Sequence, residues 1–70
     1  MAHPADLDVV EFIAPVDAWA VGTTGTIVDD HGASGMIEVS DDEGRALALF
    51  EAPYSAVKVV WSAAGHHAVA

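Results

Sequence analysis

The chain contains no cysteine and only two basic side chains, Arg45 and Lys58, among its 70 residues. The lack of cysteine excludes a disulfide framework and a thiolate zinc site. Two cations are too few for the lysine and arginine footprint that contacts a phosphate backbone. No apolar run approaches the ~18 residues of a membrane span, and the first residues lack the basic and apolar regions of a signal peptide. We therefore expect a cytoplasmic protein that binds neither nucleic acid nor a membrane.

Acidic residues dominate the charge of the chain. Eleven Asp and Glu residues give a formal net charge of −9 when the four histidines are neutral. Such a field attracts a basic protein partner and speeds its encounter with the chain. Acidity also keeps a small, valine-rich domain soluble. The charge alone therefore leaves both interpretations open.

The apolar pattern predicts short strands and no sustained helix. A chain of this length forms one small domain, without room for a deep substrate cavity, and its large core groups are expected at the Val, Ile, Leu, Phe and Trp positions. Turn residues separate the apolar runs at short intervals. The predicted strands are Leu7–Phe12, Gly25–Asp29, Met36–Ser40, Arg45–Glu51 and Ala56–Trp61.

Alternation assigns faces to these strands. Ile37 and Val39 share one face of the third strand, and Leu47 and Leu49 share one face of the fourth. In the last strand, Trp61 is predicted to lie on the same face as Val57 and Val59 and to cover the core as a lid.

Glycine and proline mark the turns. Gly22 and Gly25 lead into the second strand and can supply positive φ angles, and Gly44 is predicted to be left-handed in a hairpin. Residues 53–55 read as a single helical turn. The predicted fold is an all-β, five-stranded SH3-like barrel over residues 6–61, with one 3₁₀ turn before the last strand. Residues 1–5 and 62–70 are expected to be a flexible arm and a flexible tail.

Several segments together resemble a known family. They are Leu7-Asp8-Val9-Val10, Val21 to Val28, Ile37-Glu38-Val39, Asp42-Glu43-Gly44-Arg45 and Val57 to Val59. Their order and spacing resemble the bacterial domain-of-unknown-function family DUF4926, a short SH3-like domain, over about residues 6–61. The chain departs from that family where Val39-Ser40 replaces a valine-phenylalanine pair. The segment from Gly22 to Val28 also resembles the motif of KOW domains, whose basic loops are missing here.

No residue pattern predicts catalysis, a metal ion or a cofactor. His66 and His67, with His3 and His31, suggest a metal site, but adjacent residues on a strand point to opposite faces and a flexible tail does not preorganise ligands. The two acidic runs lack the spacing of a calcium loop. The four serines lie in turns or at strand ends, and none belongs to a nucleophile elbow. They are Ser34, Ser40, Ser55 and Ser62.

A partner-binding surface is the remaining hypothesis. In SH3-like barrels the first loop and the 3₁₀ turn can line a shallow groove for proline-rich or basic peptides. Trp19, expected on an exposed loop over residues 13–20, and Tyr54 would line this groove, unless both only cover the ends of the core. The predicted partner-binding residues are Asp17, Trp19, Asp29, Asp30, Asp41, Asp42, Glu43 and Tyr54.

Three functional hypotheses follow. The first is a non-enzymatic acidic protein that docks on a basic partner, such as an antitoxin or immunity protein that neutralises a toxin. The second is an adaptor or accessory subunit that binds a peptide segment within a larger assembly. The third is a homo-oligomeric domain that pairs through an exposed strand edge.

Overall fold

The computed structural model describes residues 4–63, which form an all-β domain. Its strands are β1 (Val9–Phe12), β2 (Thr24–Asp30), β3 (Ser34–Ser40), β4 (Ala46–Pro53) and β5 (Val57–Trp61), with a 3₁₀ turn at Tyr54–Ala56. All five lie in one antiparallel sheet in the order β4-β3-β2-β1-β5. The all-β class and the five strands are therefore confirmed. No helix within these residues is long and apolar enough to cross a membrane.

The two edges of the sheet are β4 and β5. Strands β2, β3 and β4 follow one another as hairpins, whereas β5 returns to pair with β1. In the described part of the chain no ladder joins β4 to β5, so the sheet is not closed into a barrel. The predicted closure is not seen.

One face of the sheet carries the core. Ile37 and Val39 are buried there and Glu38 points away, as the alternation predicts. The loop after β1 adds Val16, and the 3₁₀ turn adds Ala56. The buried core residues are Val10, Phe12, Val16, Ile27, Ile37, Val39, Ala52, Ala56 and Val57.

Strand β4 faces the core with its small and aromatic residues. Ala52 is buried and Phe50 is half-buried, opposite the buried Ile37 of β3. Leu47 and Leu49 share a face as predicted, but it is the solvent face, where they are 59% and 57% exposed. The expectation that leucines fill the core is therefore wrong for this strand.

A bulge reverses the predicted direction of Trp61. Val10 pairs with Val59 and Val9 pairs with Trp61, so Val60 is an extra residue in β5. The extra residue breaks the alternation, and Trp61 turns with Val9 away from the core. Trp61 is 42% exposed, so the prediction that it is a core lid is wrong.

Gly22 and Gly25 serve different purposes. Gly22 has φ +95°, as a sharp turn before β2 requires. Gly25 lies within β2, where the backbone does not adopt a positive φ angle. A Cβ atom at Gly25 would lie 2.5 Å from Cγ2 of Ile37 and 3.0 Å from the carbonyl oxygen of Glu38. Gly25 is therefore needed because β3 side chains pack directly on its backbone.

The chain enters β1 through a turn that buries a carboxylate. Leu7 is exposed with φ 72°, so the strand begins at Val9 rather than at Leu7. Asp8 is 2% exposed and accepts hydrogen bonds from the backbone N–H groups of Ala5 (3.1 Å) and Ala63 (3.0 Å). These bonds fasten the segments that precede β1 and follow β5. Most of the predicted arm and tail, residues 1–3 and 64–70, lies outside the described residues.

Replacing Asp8 with alanine should lower the free energy of unfolding by about 2–3 kcal/mol, because two backbone N–H groups lose a charged acceptor. Urea unfolding followed by far-UV circular dichroism measures this loss. Asp42→Ala is the matched control, since it removes an exposed carboxylate and should change stability by less than about 0.5 kcal/mol. Equal stabilities for the two variants would contradict the role given to Asp8.

Candidate functional site

Polar side chains gather where β2 ends, β3 begins and β4 ends. Residues 31–33 connect β2 to β3, and the N–H of His31 donates to the carbonyl of Ser34 at 2.9 Å. The N–H of Gly32 donates to Oδ1 of Asp30 at 3.0 Å, which fixes the turn. We call this surface the acidic hairpin end. Its residues are Asp29, Asp30, His31, Ser34, Glu51 and Tyr54.

His31 bridges two carboxylates across the acidic hairpin end. Its Nε2 lies 2.9 Å from Oδ2 of Asp29, and its Nδ1 lies 2.9 Å from Oε2 of Glu51. Hydrogen bonds to Glu51 and Asp29 raise the pKa of His31 to about 9. The imidazole is therefore protonated at pH 7, which changes the net charge of the chain from −9 to −8.

Tyr54 supplies the aromatic part of the acidic hairpin end. Its hydroxyl donates to Oδ1 of Asp30 at 2.8 Å. Burial, together with the bond to Asp30, raises the pKa of Tyr54 well above its usual value, and the nearby charge of Asp6 acts in the same direction. The ring lies over Gly35, where a Cβ atom would collide with the tyrosine hydroxyl. Tyr54 is thus a neutral hydrogen-bond donor held against the end of β2.

The hydroxyl of Ser34 is close to His31 but is not arranged for nucleophilic attack. Ser34 donates to Oε2 of Glu51, the oxygen that also bonds His31. Hydrogen bonds from Ser34 and His31 lower the pKa of Glu51, so this carboxylate is a weak base. In a catalytic triad the histidine accepts the serine proton, whereas here both ring nitrogens face carboxylates. The arrangement orders the surface rather than activating Ser34.

The second acidic run forms the turn between β3 and β4, residues 41–45, which we call the Asp41 turn. Oδ1 of Asp41 accepts from the N–H groups of Glu43 and Arg45, both at 2.9 Å, and Oδ2 accepts from Nε of Arg45 at 3.0 Å. These bonds, led by the Arg45 backbone N–H, lower the pKa of Asp41. Gly44 has φ +82°, as predicted. Much of the negative charge of the Asp41 turn is therefore engaged in contacts within the turn itself.

The sequence-predicted site residues fall into separate places. Asp29, Asp30 and Tyr54 meet at the acidic hairpin end. The Asp41 turn holds Asp41, Asp42 and Glu43 at the other end of β3, which is roughly 20 Å away for a strand of this length. Asp17 has φ 50° and lies at the tip of a tight turn. In this turn Val16 and Trp19 exchange backbone hydrogen bonds.

Trp19 packs on the core instead of standing out from it. Its ring stacks on Phe50 with the centroids 6.2 Å apart and the planes 5° from parallel. Val16, three residues earlier, is buried beneath the same loop. The rest of the loop is largely exposed, as predicted, with Asp17 at its tip. Trp19 is half-buried and covers one side of Phe50.

His31, Ser34 and Glu51 were not predicted to belong to the site. The cross-strand register explains why Asp29 and Glu51 share one histidine: Asp29 pairs with Met36, and Met36 pairs with Glu51. The side chains of Asp29, Met36 and Glu51 therefore form a row across three strands, on the face away from the core. Predicting this contact from the sequence would require the correct register of both hairpins. That register depends on the exact length of each turn.

No side chains in residues 4–63 form a metal site of three or more His, Asp or Glu ligands. His3, His66 and His67 lie outside the described residues. A shallow depression of about 220 Å³ lies over β2 and β3 beside Thr26 and Glu38. Its polar lining is open to solvent.

Comparisons with protein-family models, with curated proteins and with solved structures find no match to this chain. The resemblance to the family DUF4926 therefore stays a prediction.

The His31 bridge predicts a stability window in pH. Because the folded-state pKa of His31 lies above 6.5, its stabilising effect is complete below about pH 6.5 and is lost as pH rises through about 9. The pKa of Glu51 is lowered from 4.5, so its contribution is present above pH 4.5 and is lost as pH falls. Urea unfolding should show a loss of stability between about pH 7 and 10 that His31→Gln removes. An NMR titration that gives His31 an ordinary pKa would contradict the bridge.

Proposed function

We propose that this chain is a non-enzymatic, acidic protein-binding domain whose acidic hairpin end docks on a basic protein. The supporting observation is the placement of its two basic side chains. Arg45 bonds Asp41 and Glu43 in the Asp41 turn, and Lys58 lies 3.7 Å from Glu11 at the β1–β5 pair. Neither is at the acidic hairpin end, where the cation in the described part of the chain is His31.

The acidic hairpin end has the components of an interface hot spot. Protonated His31 holds Asp29 and Glu51 in fixed positions, so less side-chain entropy is lost when a partner binds. Tyr54 adds an aromatic ring, of the kind that is enriched at protein interfaces. Arg and Lys side chains of a basic partner would complement this surface in charge, which favours fast association.

The partner in the most concrete version of this proposal is a toxin, which the chain would neutralise as a bacterial, cytoplasmic antitoxin or immunity protein. An acidic surface can mask a cationic active site by electrostatic complementarity. The pairing of β5 with β1 and the 3₁₀ turn before β5 support an SH3-like barrel and the resemblance to the family DUF4926. In this proposal the open edges of the sheet are a local departure from that fold.

A peptide-binding adaptor is the second candidate. The observation that favours it is the half-buried Trp19 stacked on Phe50, because this aromatic pair leaves part of the indole ring available to a peptide. This candidate predicts that Trp19→Ala weakens binding more than any charge change, and that binding persists at high salt.

An NMR titration with an oligolysine peptide tests the position of the proposed surface. We expect the backbone amide shifts to concentrate at Asp29, Asp30 and Tyr54, and to disappear when the ionic strength rises from about 0.05 M to about 0.5 M because of screening. Shifts concentrated in the Asp41 turn would move the surface to the other end of β3. Shifts centred on Trp19 would favour the adaptor.

A further inference from the structure

The face of the sheet away from the core, which we call the outer face, carries a row of paired residues near its centre. Thr26 of β2 pairs with Glu38 of β3, and Glu38 pairs with Leu49 of β4. Val9 of β1 extends the row, because it pairs with Thr26. Residues directly opposite each other in antiparallel strands place their side chains on one face. The row therefore has a polar centre, Thr26 and Glu38, between two apolar side chains.

A bulge in β2 brings the acidic hairpin end onto the same outer face. Val28 is an extra residue in β2, so Asp29 lies on the same face as Thr26 although the two are three residues apart. Asp29 pairs with Met36 of β3. Glu38 is two residues further along β3, which is roughly 7 Å along the strand. The acidic hairpin end and the row that contains Glu38 are therefore neighbours on one surface.

The depression of about 220 Å³ described above lies on this outer face. Its lining includes the hydroxyl-bearing Thr24, Thr26 and Ser40, the carboxylate-bearing Glu38 and the apolar Val9. Sites for small molecules usually measure about 300–1,000 Å³, so this depression is closer to the size of a single side chain. It offers a carboxylate, several hydroxyl oxygens and an apolar wall to one side chain of a partner.

Glu38 is a half-buried carboxylate with a weak internal partner. The hydroxyl of Ser40 donates to its Oε1 at 3.4 Å, which is long for a hydrogen bond between two oxygens. None of the basic side chains in residues 4–63 forms an ion pair with Glu38. Asp41, which also lines the depression, is instead held by Nε of Arg45 at 3.0 Å. A cation that enters the depression would therefore bind Glu38 without displacing an ion pair.

An ammonium group suits this depression better than a guanidinium group. It is a compact charge with three donors, which matches one carboxylate beside hydroxyl oxygens, whereas a guanidinium is a planar fork that favours bidentate contact with a carboxylate. The methylene stem of a lysine would contact Val9 and the exposed Leu49. We propose that the depression receives a lysine side chain of the basic partner, with its ammonium group on Glu38. This inference rests on the proposed function, in which the acidic hairpin end binds another cation of the same partner.

An NMR titration with oligolysine tests this lysine contact when the Glu38→Gln variant is compared with the wild type. In the wild type we expect a second, smaller group of backbone amide shifts at Thr26 and Glu38, besides those at the acidic hairpin end. In the variant the second group should disappear. The peptide should also bind the variant about threefold more weakly at an ionic strength of about 0.05 M, as expected for the loss of one partly exposed ion pair. Oligoarginine should shift the acidic hairpin end without the second group.

Glu43→Gln is the matched control, because it makes the same chemical change at an exposed side chain that contacts Arg45 in the Asp41 turn. It should keep both groups of shifts. If Glu38→Gln fails to fold by circular dichroism, Thr26→Val takes its place and should weaken the second group by removing a hydroxyl. Shifts at the acidic hairpin end alone, a second group that persists in Glu38→Gln, or an equal second group with oligoarginine would overturn this inference and leave the proposed function standing. The absence of any shift would overturn both.

Discussion

Replacing Phe12 with alanine should leave the domain largely unfolded at 25 °C. Phe12 is fully buried at the end of β1, and its ring and that of Phe50 form a T-shaped pair with the centroids 6.0 Å apart. Truncation of a buried phenylalanine costs about 3–5 kcal/mol. The core of a domain this small supplies only about 3–5 kcal/mol of net stability. The expected loss in the free energy of unfolding is therefore as large as most of the net stability of the domain.

Urea unfolding followed by tryptophan fluorescence and circular dichroism measures this effect. Leu49→Ala is the matched control, because it also truncates a large apolar side chain but one that is 57% exposed on the solvent face of β4. Its stability should stay within about 0.5 kcal/mol of the wild type. If Leu49→Ala were as damaging as Phe12→Ala, the assignment of the two faces of the sheet would be wrong.

Neutralising the acidic hairpin end should slow association with the basic partner by at least about tenfold at low salt, because electrostatic steering sets such rates. The variant is Asp29→Asn with Asp30→Asn, which removes two charges beside Tyr54. The rate should also depend less steeply on ionic strength. Stopped-flow measurements with the partner recovered from cells give both quantities.

Asp42→Asn with Glu43→Gln is the control for this prediction. It removes the same charge from the Asp41 turn, where Arg45 already neutralises part of the acidity. The association rate should fall about threefold or less, as expected for a loss of overall charge remote from the interface. Equal losses from the two double variants would mean that net charge, rather than the acidic hairpin end, guides the partner.

Local patterns in the sequence were enough to predict much of the fold. Turn residues and alternation depend on near neighbours, so the left-handed Gly44 and the split between Ile37 and Glu38 follow from the sequence alone. A bulge adds one residue without a clear sequence signal. For that reason alternation alone predicts the wrong face for Trp61. The sequence predicts a strand at Leu7, where the structure has a turn, because a positive φ angle is rare for a bulky residue.

The candidate site depends on contacts between residues far apart in the chain. The sequence predicted Asp29, Asp30 and Tyr54 as members of one surface with the Asp41 turn, but β3 separates the two groups. His31 and Glu51 are 20 residues apart and meet only because the register of β4 on β3 brings Glu51 beside the turn. Such a pair cannot be read from composition or spacing.

Affinity capture from the native cells, with the wild type and the Asp29→Asn, Asp30→Asn variant side by side, tests the proposed function most directly. At low salt the wild type should retain one basic protein, identified by mass spectrometry, which is lost at high salt and is not retained by the variant. A partner that both forms retain at high salt would contradict the claim that the acidic hairpin end binds a basic protein.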